Sequence, residues 1–124
     1  MRLSPKRFEK LVLAALDSIP EPIRARMDNI DVVVDDEPTP HQRAALELAP
    51  DEVLFGLYEG TPLIERGILS DPLMPDKITI FKRALEDACD SEEEITEEIR
   101  RTIVHEVAHH FGFDEDRLAE LGYD

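Results

Sequence analysis

The segment from Ser91 to Gly112 constrains the fold of this chain more than any other part of its sequence. Ser91 and Glu94 are spaced as the two members of a helix capping box, and Gly112 is a natural helix stop. Between them the sequence predicts its longest helix, which runs to about Phe111. Apolar residues cover much of its circumference, so we expect this helix to be central and largely covered. These residues are Ile99, Ile103, Val104, Val107 and Phe111.

Four polar residues in the second half of the same helix fall within one sector. His105 and His109 stand four residues apart, so both imidazoles leave the helix from one face. Thr102 and Glu106 share that sector. Polar side chains on a covered helix need partners, because burying an unsatisfied polar group is costly. A bound cation would satisfy them, and the pattern therefore predicts a metal site.

Zinc chemistry fits this spacing. Zinc binds imidazole nitrogens, and a catalytic zinc site offers three protein ligands with water in the fourth position. Glu106 lies about 100° around the helix from His105, close to such an ion without displacing its water. There it can accept a proton from the water and deliver it to the leaving amine of a peptide. Three acids beyond the Gly112 turn could supply the third ligand: Asp114, Glu115 and Asp116.

Other side chains near this motif have simpler interpretations. His110 falls in the apolar sector, which favours a packed or supporting role over metal ligation. His41 lies at the start of another predicted helix and is expected to be exposed. Tyr58 or Tyr123 could donate a hydrogen bond to an oxyanion, although a structural role is favoured for both.

The stretch "HEVAHHFG" resembles the zincins, the metallopeptidases built around HExxH. It is most similar to a small bacterial zincin-like family with the pattern HExxHxxG followed by an acid, as in HExxHxxGxxD. The segments "GLYEGTPLIERG" and "DKITIFKRAL" also look like the part of that family that precedes the motif. The resemblance covers about the last 75 residues.

This resemblance implies an α+β minimal zincin fold, in which a small mixed sheet of three to four strands packs on helices that include the HExxH helix. It implies that His105 and His109 are metal ligands and that Glu106 is the general base. The third-ligand position of the pattern falls on Glu115, where aspartate is expected; glutamate is one methylene longer. The implied cofactor is zinc, and the implied substrate is a peptide or protein.

The rest of the sequence predicts one domain over residues 1–124, with strands and helices mixed. A helix beginning at Pro5, capped by Ser4, carries apolar residues at helical spacing up to Ile19. Further helices are predicted over residues 39–48, 83–90 and 114–121, the first with Thr39 and Gln42 as a capping box. Strands are predicted over residues 30–36, 52–60 and 77–82, and residues 61–75 read as an ordered loop. In the second strand, Gly56 indicates a bulge or a close backbone approach.

Composition excludes some partners. The net charge of -15 argues against nucleic acid and anionic membranes, because both would repel the chain. The acidic run from Asp90 to Glu98 is typical of a solvated helix start. The single cysteine, Cys89, suits packing and a reducing compartment. The basic, apolar start lacks a good signal-peptide cleavage site, and we therefore expect a cytoplasmic protein.

Two functions follow from these observations. The first is a zinc-dependent metallopeptidase, with an extended peptide paired to an edge strand within residues 52–60. The alternative is a metal-binding domain of the same fold that has little or no hydrolytic activity and acts as a protein-interaction module. A metal-free structural domain has little support. The sequence does not fix the oligomeric state.

Overall fold

The structure, a computed structural model, describes residues 1–60 and 75–120, except for the side chain of Glu115. Its elements are α1 (Pro5–Asp17), α2 (Glu21–Arg24), β1 (Ile30–Asp35), α3 (Pro40–Ala45), β2 (Gly56–Glu59), β3 (Asp76–Phe81), α4 (Lys82–Ala88), α5 (Glu92–His110) and α6 (Glu115–Glu120). The predicted loop over residues 61–75 lies almost entirely outside the described residues. Within the described ranges, none of the helices combines the length and the apolar character that a membrane span needs.

The three strands form one mixed sheet in the order β1-β3-β2. β1 runs parallel to β3, with Ile30 opposite Asp76, and β2 runs antiparallel to β3, with Gly56 opposite Ile80. The central strand is almost wholly buried from residue 78 to residue 81, as expected for a strand paired on both sides and packed against helices. The predicted mixed α+β architecture is confirmed.

The second strand is shorter than the sequence predicts. It begins at Gly56, and the preceding Val53 is 66% exposed. The reason is the length of its partner: β3 ends at Phe81, whose N–H still donates to the carbonyl of Phe55 at 2.9 Å. Helix α4 starts at the next residue, so residues 52–54 have no continuing strand to pair with. The first part of the prediction for residues 52–60 is therefore wrong.

Helix α5 forms the centre of the molecule, as predicted. Six of its residues are buried: Ile95, Ile99, Ile103, Val104, Val107 and Ala108. They pack in one core with α1, α2 and the sheet residues Ile78 and Ile80. The expectation for Phe111 is wrong, because that ring is 39% exposed. The last turn of α5 extends beyond the core, so the helix is uncovered at the end that carries the histidines.

The two ends of α5 confirm most of the predicted capping. Ser91 Oγ accepts the N–H of Glu94 at 3.2 Å. The Glu94 carboxylate accepts the N–H of Asp90 rather than that of Ser91, so the predicted box is only half formed at the cap itself. At the other end Gly112 has φ +78°, and the N–H of Phe113 donates to the carbonyl of Ala108 at 2.8 Å. This is the Schellman arrangement that a terminal glycine allows.

Candidate metal and catalytic site

The two motif histidines lie on one face of the last two turns of α5. Their ring centroids are 6.3 Å apart and the rings are nearly perpendicular, at 87°. Two imidazoles bound through nitrogen to one tetrahedral zinc would have centroids about 5 Å apart. His105 is half-buried and His109 is exposed, so the outer ring has room to turn towards the inner one. The pair therefore fits a common ion with a small side-chain adjustment.

Glu106 lies beside these histidines and is half-buried. Burial raises the pKa of its carboxyl above the ordinary value, while the backbone N–H of Tyr58 and the nearby His109 and His105 act in the opposite direction. A carboxylate whose pKa is raised towards neutrality is a better general base than an exposed one. The hydrogen bond from Tyr58 also joins this carboxylate to strand β2.

Strand β2 can approach the site because of Gly56. A Cβ atom at this position would lie 2.5 Å from Thr102 Cγ2 and 3.2 Å from the backbone oxygen of Thr79. Contacts this short exclude a side chain, so the predicted close backbone approach is confirmed. It places the edge of the sheet directly against the helix turn that precedes His105.

An open groove of about 300 Å³ lies where β2 meets α5. Thr102, His105 and Glu106 line one wall, and residues 54–56 line the other. Three of the four polar residues that the helical pattern assigned to one sector therefore share one surface. The fourth, His109, lies one turn further along α5, at its exposed end.

His110 is not packed in the core, contrary to its place in the apolar sector. Its side chain is 40% exposed and stacks on the ring of Tyr58, with centroids 4.1 Å apart. Its Nε2 atom lies 3.7 Å from Asp76 Oδ2, and the Tyr58 hydroxyl donates to the same oxygen at 2.5 Å. The supporting role predicted for His110 therefore takes the form of a cluster with Tyr58 and Asp76. His41 is exposed, as predicted.

Asp76 is a residue of this region that the sequence did not reveal. It is the first residue of β3, far from the HExxH segment in the chain, and its side chain is only 13% exposed. No local pattern marks it, because its contacts join three separate elements. The tyrosine predicted as a possible oxyanion donor, Tyr58, directs its hydroxyl to this carboxylate. The other, Tyr123, lies outside the described residues.

The three acids beyond Gly112 are placed differently. Asp114 Oδ1 accepts the N–H of Arg117 at 2.8 Å, as a residue that starts helix α6 does. Asp116 is exposed on α6. The side chain of Glu115 lies outside the described part of the structure. Among the described residues, no three His, Cys, Asp or Glu side chains form a group able to hold a metal ion.

Comparisons with known proteins bear on the fold and the family of this chain. A conserved hypothetical protein from Thermo thermophilus has a similar structure, with a TM-score of 0.60 and 16% sequence identity, over 98% of this chain and 100% of that one. At this identity the likeness concerns the fold alone. No curated protein gives a significant sequence match. The family model described as zincin-like metallopeptidase matches residues 27–123, which include all three strands and the whole of α5. This chain is therefore a member of the zincin-like metallopeptidase family.

Proposed function

We propose that this protein is a zinc-dependent peptidase, with His105 and His109 as metal ligands and Glu106 as the general base. The observation that carries the proposal is the meeting of these residues with an edge strand: the HExxH face of α5 lies against β2, whose backbone holds the Glu106 carboxylate. Membership of the family implies a metal, typically zinc.

Bound between the two imidazoles, zinc would supply Lewis acidity, which polarises a carbonyl group and lowers the pKa of water. We assign the third ligand to Glu115. One observation supports this choice over a neighbour: the Asp114 carboxylate is engaged with the N–H of Arg117. Glu115 also matches the third-ligand position of the family pattern.

Glu106 moves the proton in this proposal. Its carboxylate accepts a proton from the attacking water and then donates it to the leaving amine. Burial raises the pKa of this group, which makes its carboxylate a stronger proton acceptor. The N–H of Tyr58 keeps the carboxylate turned towards the groove, so the base does not have to be oriented anew in each cycle.

The substrate is an extended peptide or a protein segment. Within the described residues β2 is paired on one side only, with β3, and its first residue, Gly56, lines the groove beside α5. An extended chain can add to such an edge through main-chain hydrogen bonds. Nucleic acid does not suit a chain of net charge -15. A reducing cytoplasmic environment is supported by the single cysteine, Cys89, which is buried.

A second function is favoured by the openness of the site. Among the described residues the groove beside Glu106 is small and open, at about 300 Å³, and His109 is exposed. A site that excludes little water gains less from its charged groups than an enclosed one. A metal-binding domain with little hydrolytic activity, acting as an interaction module, is the alternative.

Calorimetric zinc binding and peptide-library cleavage test these proposals together. We expect Glu106→Gln to bind zinc as the wild type does and to lose cleavage, whereas His109→Ala loses zinc affinity. His41→Ala is the matched control, because it removes an exposed histidine remote from the motif. Equal cleavage by wild type and Glu106→Gln would remove Glu106 from the mechanism. Zinc binding without any cleavage by the wild type would favour the interaction module, and unchanged zinc affinity in His109→Ala would contradict both functions.

A further inference from the structure

The groove at Glu106 does not end at the motif. Towards the start of α5 lies a second hollow of about 480 Å³, which shares the lining residues Phe55 and Glu98 with the first. Leu54, Phe55 and Ala88 give this joined groove an apolar floor. We call it the α5 groove; it runs from His105 towards the start of the helix.

The helix wall of the α5 groove is acidic. Its second hollow is lined by four glutamates: Glu93, Glu94, Glu97 and Glu98. Among the described residues that line the two hollows, the one lysine or arginine is Arg101, whose guanidinium already lies 3.8 Å from a Glu97 oxygen and 3.7 Å from a Glu98 oxygen. The acidic run of the sequence is therefore not simply a solvated helix face, because it forms the side of a groove with an apolar floor.

The pKa of the Cys89 thiol is consistent with a negative field in this groove. Burial raises it, and the negative charges of Glu98, Glu94 and Asp90 raise it further. Cys89 lines the second hollow and is 3% exposed. Glu97 is also bonded to Arg100, and the N-terminal amine acts on the Cys89 pKa in the opposite direction. The four glutamates still outnumber the guanidinium groups of Arg100 and Arg101 that pair with them, so a cationic side chain that entered here would meet a net attractive potential.

The length of the groove sets which part of a substrate would reach the acids. An α-helix rises about 1.5 Å per residue, which places Glu98 about 10 Å and Glu93 about 18 Å along the axis from His105. An extended peptide advances about 3.3 Å per residue. A chain lying along the groove from the motif would bring its side chains to Glu98 after about three residues and to Glu93 after about five.

We propose that the α5 groove binds the substrate chain on one side of the scissile bond and selects peptides that carry lysine or arginine about three to five residues from that bond. The apolar floor suits the methylene stems of these side chains, and the glutamates suit their charged ends. The position relative to the bond rests on the proposed peptidase function. The preference for a basic extended peptide rests on the groove itself, through its charge and its continuity with the strand edge.

Binding is measured first, without any cleavage. The probes are two fluorescein-labelled peptides of equal length, one alternating lysine with alanine and the other glutamate with alanine. Their fluorescence anisotropy is followed on titration with the full chain in the presence of a chelator. We expect the lysine peptide to bind, with an affinity that falls as salt is added, and the glutamate peptide to bind far more weakly.

Two double variants locate the binding. E93Q/E98Q removes two charges from the wall and should weaken binding of the lysine peptide about fivefold. E9Q/D28N removes the same charge from exposed positions outside the groove and should change the affinity less than about twofold. Circular dichroism checks that both variants are folded. Similar binding of the two peptides, or equal losses in the two variants, would overturn the proposal.

Cleavage then separates this inference from the proposed function. The zinc-loaded wild type is given peptides with a single lysine placed at successive distances from a cleaved bond. We expect the wild type to prefer lysine about three to five residues from the cleaved bond, and we expect E93Q/E98Q to lose this preference while its zinc affinity is unchanged. This result would support both the peptidase function and the preference of the α5 groove. Binding of the lysine peptide without any cleavage would contradict the peptidase proposal, but it would still support the preference of the α5 groove for basic peptides. A cleavage rate that does not depend on the position of the lysine would contradict the groove proposal and leave the peptidase proposal unaffected.

Discussion

The ring of Tyr58 lies on the imidazole of His110, with centroids 4.1 Å apart and planes inclined by 17°. The Tyr58 hydroxyl donates to Asp76 Oδ2 at 2.5 Å, and its backbone N–H donates to the Glu106 carboxylate. One residue of the edge strand therefore contacts the Glu106 carboxylate through its main chain and is itself held by two side chains. The orientation of Glu106 depends on the position of β2 as well as on its own helix.

The Tyr58–Asp76 bond should contribute measurably to stability. Tyr58→Phe keeps the stacked ring and removes the hydroxyl, so we expect the free energy of unfolding to fall by about 1–2 kcal/mol, as for a hydrogen bond to a charged, partly buried acceptor. Urea unfolding at neutral pH measures this. In a double-mutant cycle with Asp76→Ala the two losses should not add, because both remove the same bond. Additive losses would show that the pair does not interact.

Gly56 should not tolerate a methyl group. In Gly56→Ala the new Cβ would meet Thr102 Cγ2 at 2.5 Å, and the threonine cannot swing away freely because its Oγ1 donates to the carbonyl of Glu98 at 2.7 Å. We expect a loss of about 1–3 kcal/mol in the free energy of unfolding. Adding Thr102→Ser should restore part of it. Gly60→Ala is the control, since among the described residues its Cβ would meet nothing closer than 3.6 Å. Equal losses at both glycines would contradict this account.

Glu86 makes the stability of the fold dependent on pH in the acidic range. Its carboxylate is 2% exposed and accepts the N–H of Leu3 at 2.7 Å, with Lys82 Nζ at 2.9 Å and Arg2 at 3.2 Å. Burial acts to raise the pKa of Glu86, but these three partners outweigh it and hold the pKa below its ordinary value of 4.5. A carboxyl group whose pKa is lower in the folded protein than in the unfolded protein stabilises the fold at pH values above its pKa in the unfolded protein. This contribution is lost as the pH falls through the pKa that the group has in the folded protein.

We therefore expect the wild type to lose stability below about pH 4.5, where Glu86 takes up a proton. Glu86→Gln should cost about 2–4 kcal/mol at neutral pH, because it leaves Lys82 partly buried beside a neutral group. The difference between the two proteins should shrink as the pH falls. Denaturant unfolding across this range tests it, with the exposed Glu9→Gln as control. A difference that stays constant with pH would exclude Glu86 as the source.

The third ligand can be assigned by comparing neighbouring variants. We expect Glu115→Ala to weaken zinc binding by at least about tenfold and Asp116→Ala to leave it nearly unchanged. Asp114→Ala should lower stability by about 1 kcal/mol without changing zinc affinity, since it removes the acceptor for the N–H of Arg117. Competition with a chromophoric chelator measures the affinities. A larger loss in Asp116→Ala than in Glu115→Ala would move the assignment to Asp116.

Most secondary structure followed from local patterns in the sequence. Apolar periodicity, the Thr39–Gln42 capping box and the Gly112 stop predicted α3 and α5 because these signals act over a few residues of chain. Element ends were less predictable. The residues before Gly56 were predicted to be part of a strand but do not form one, because they have no strand to pair with. Helix α3 ends at Ala45, shortly before Glu47, which has a positive φ of 54°.

The sequence by itself determined that His105, Glu106 and His109 lie close together, because spacing along a helix fixes which side chains share a face. Only the tertiary structure decided what meets them there. The N–H of Tyr58 on Glu106, Asp76 beside His110, and the apolar floor beneath the acidic run all join residues from separate elements. Such contacts depend on how a strand approaches a helix, and that approach is set by the packing of the whole core rather than by any local pattern.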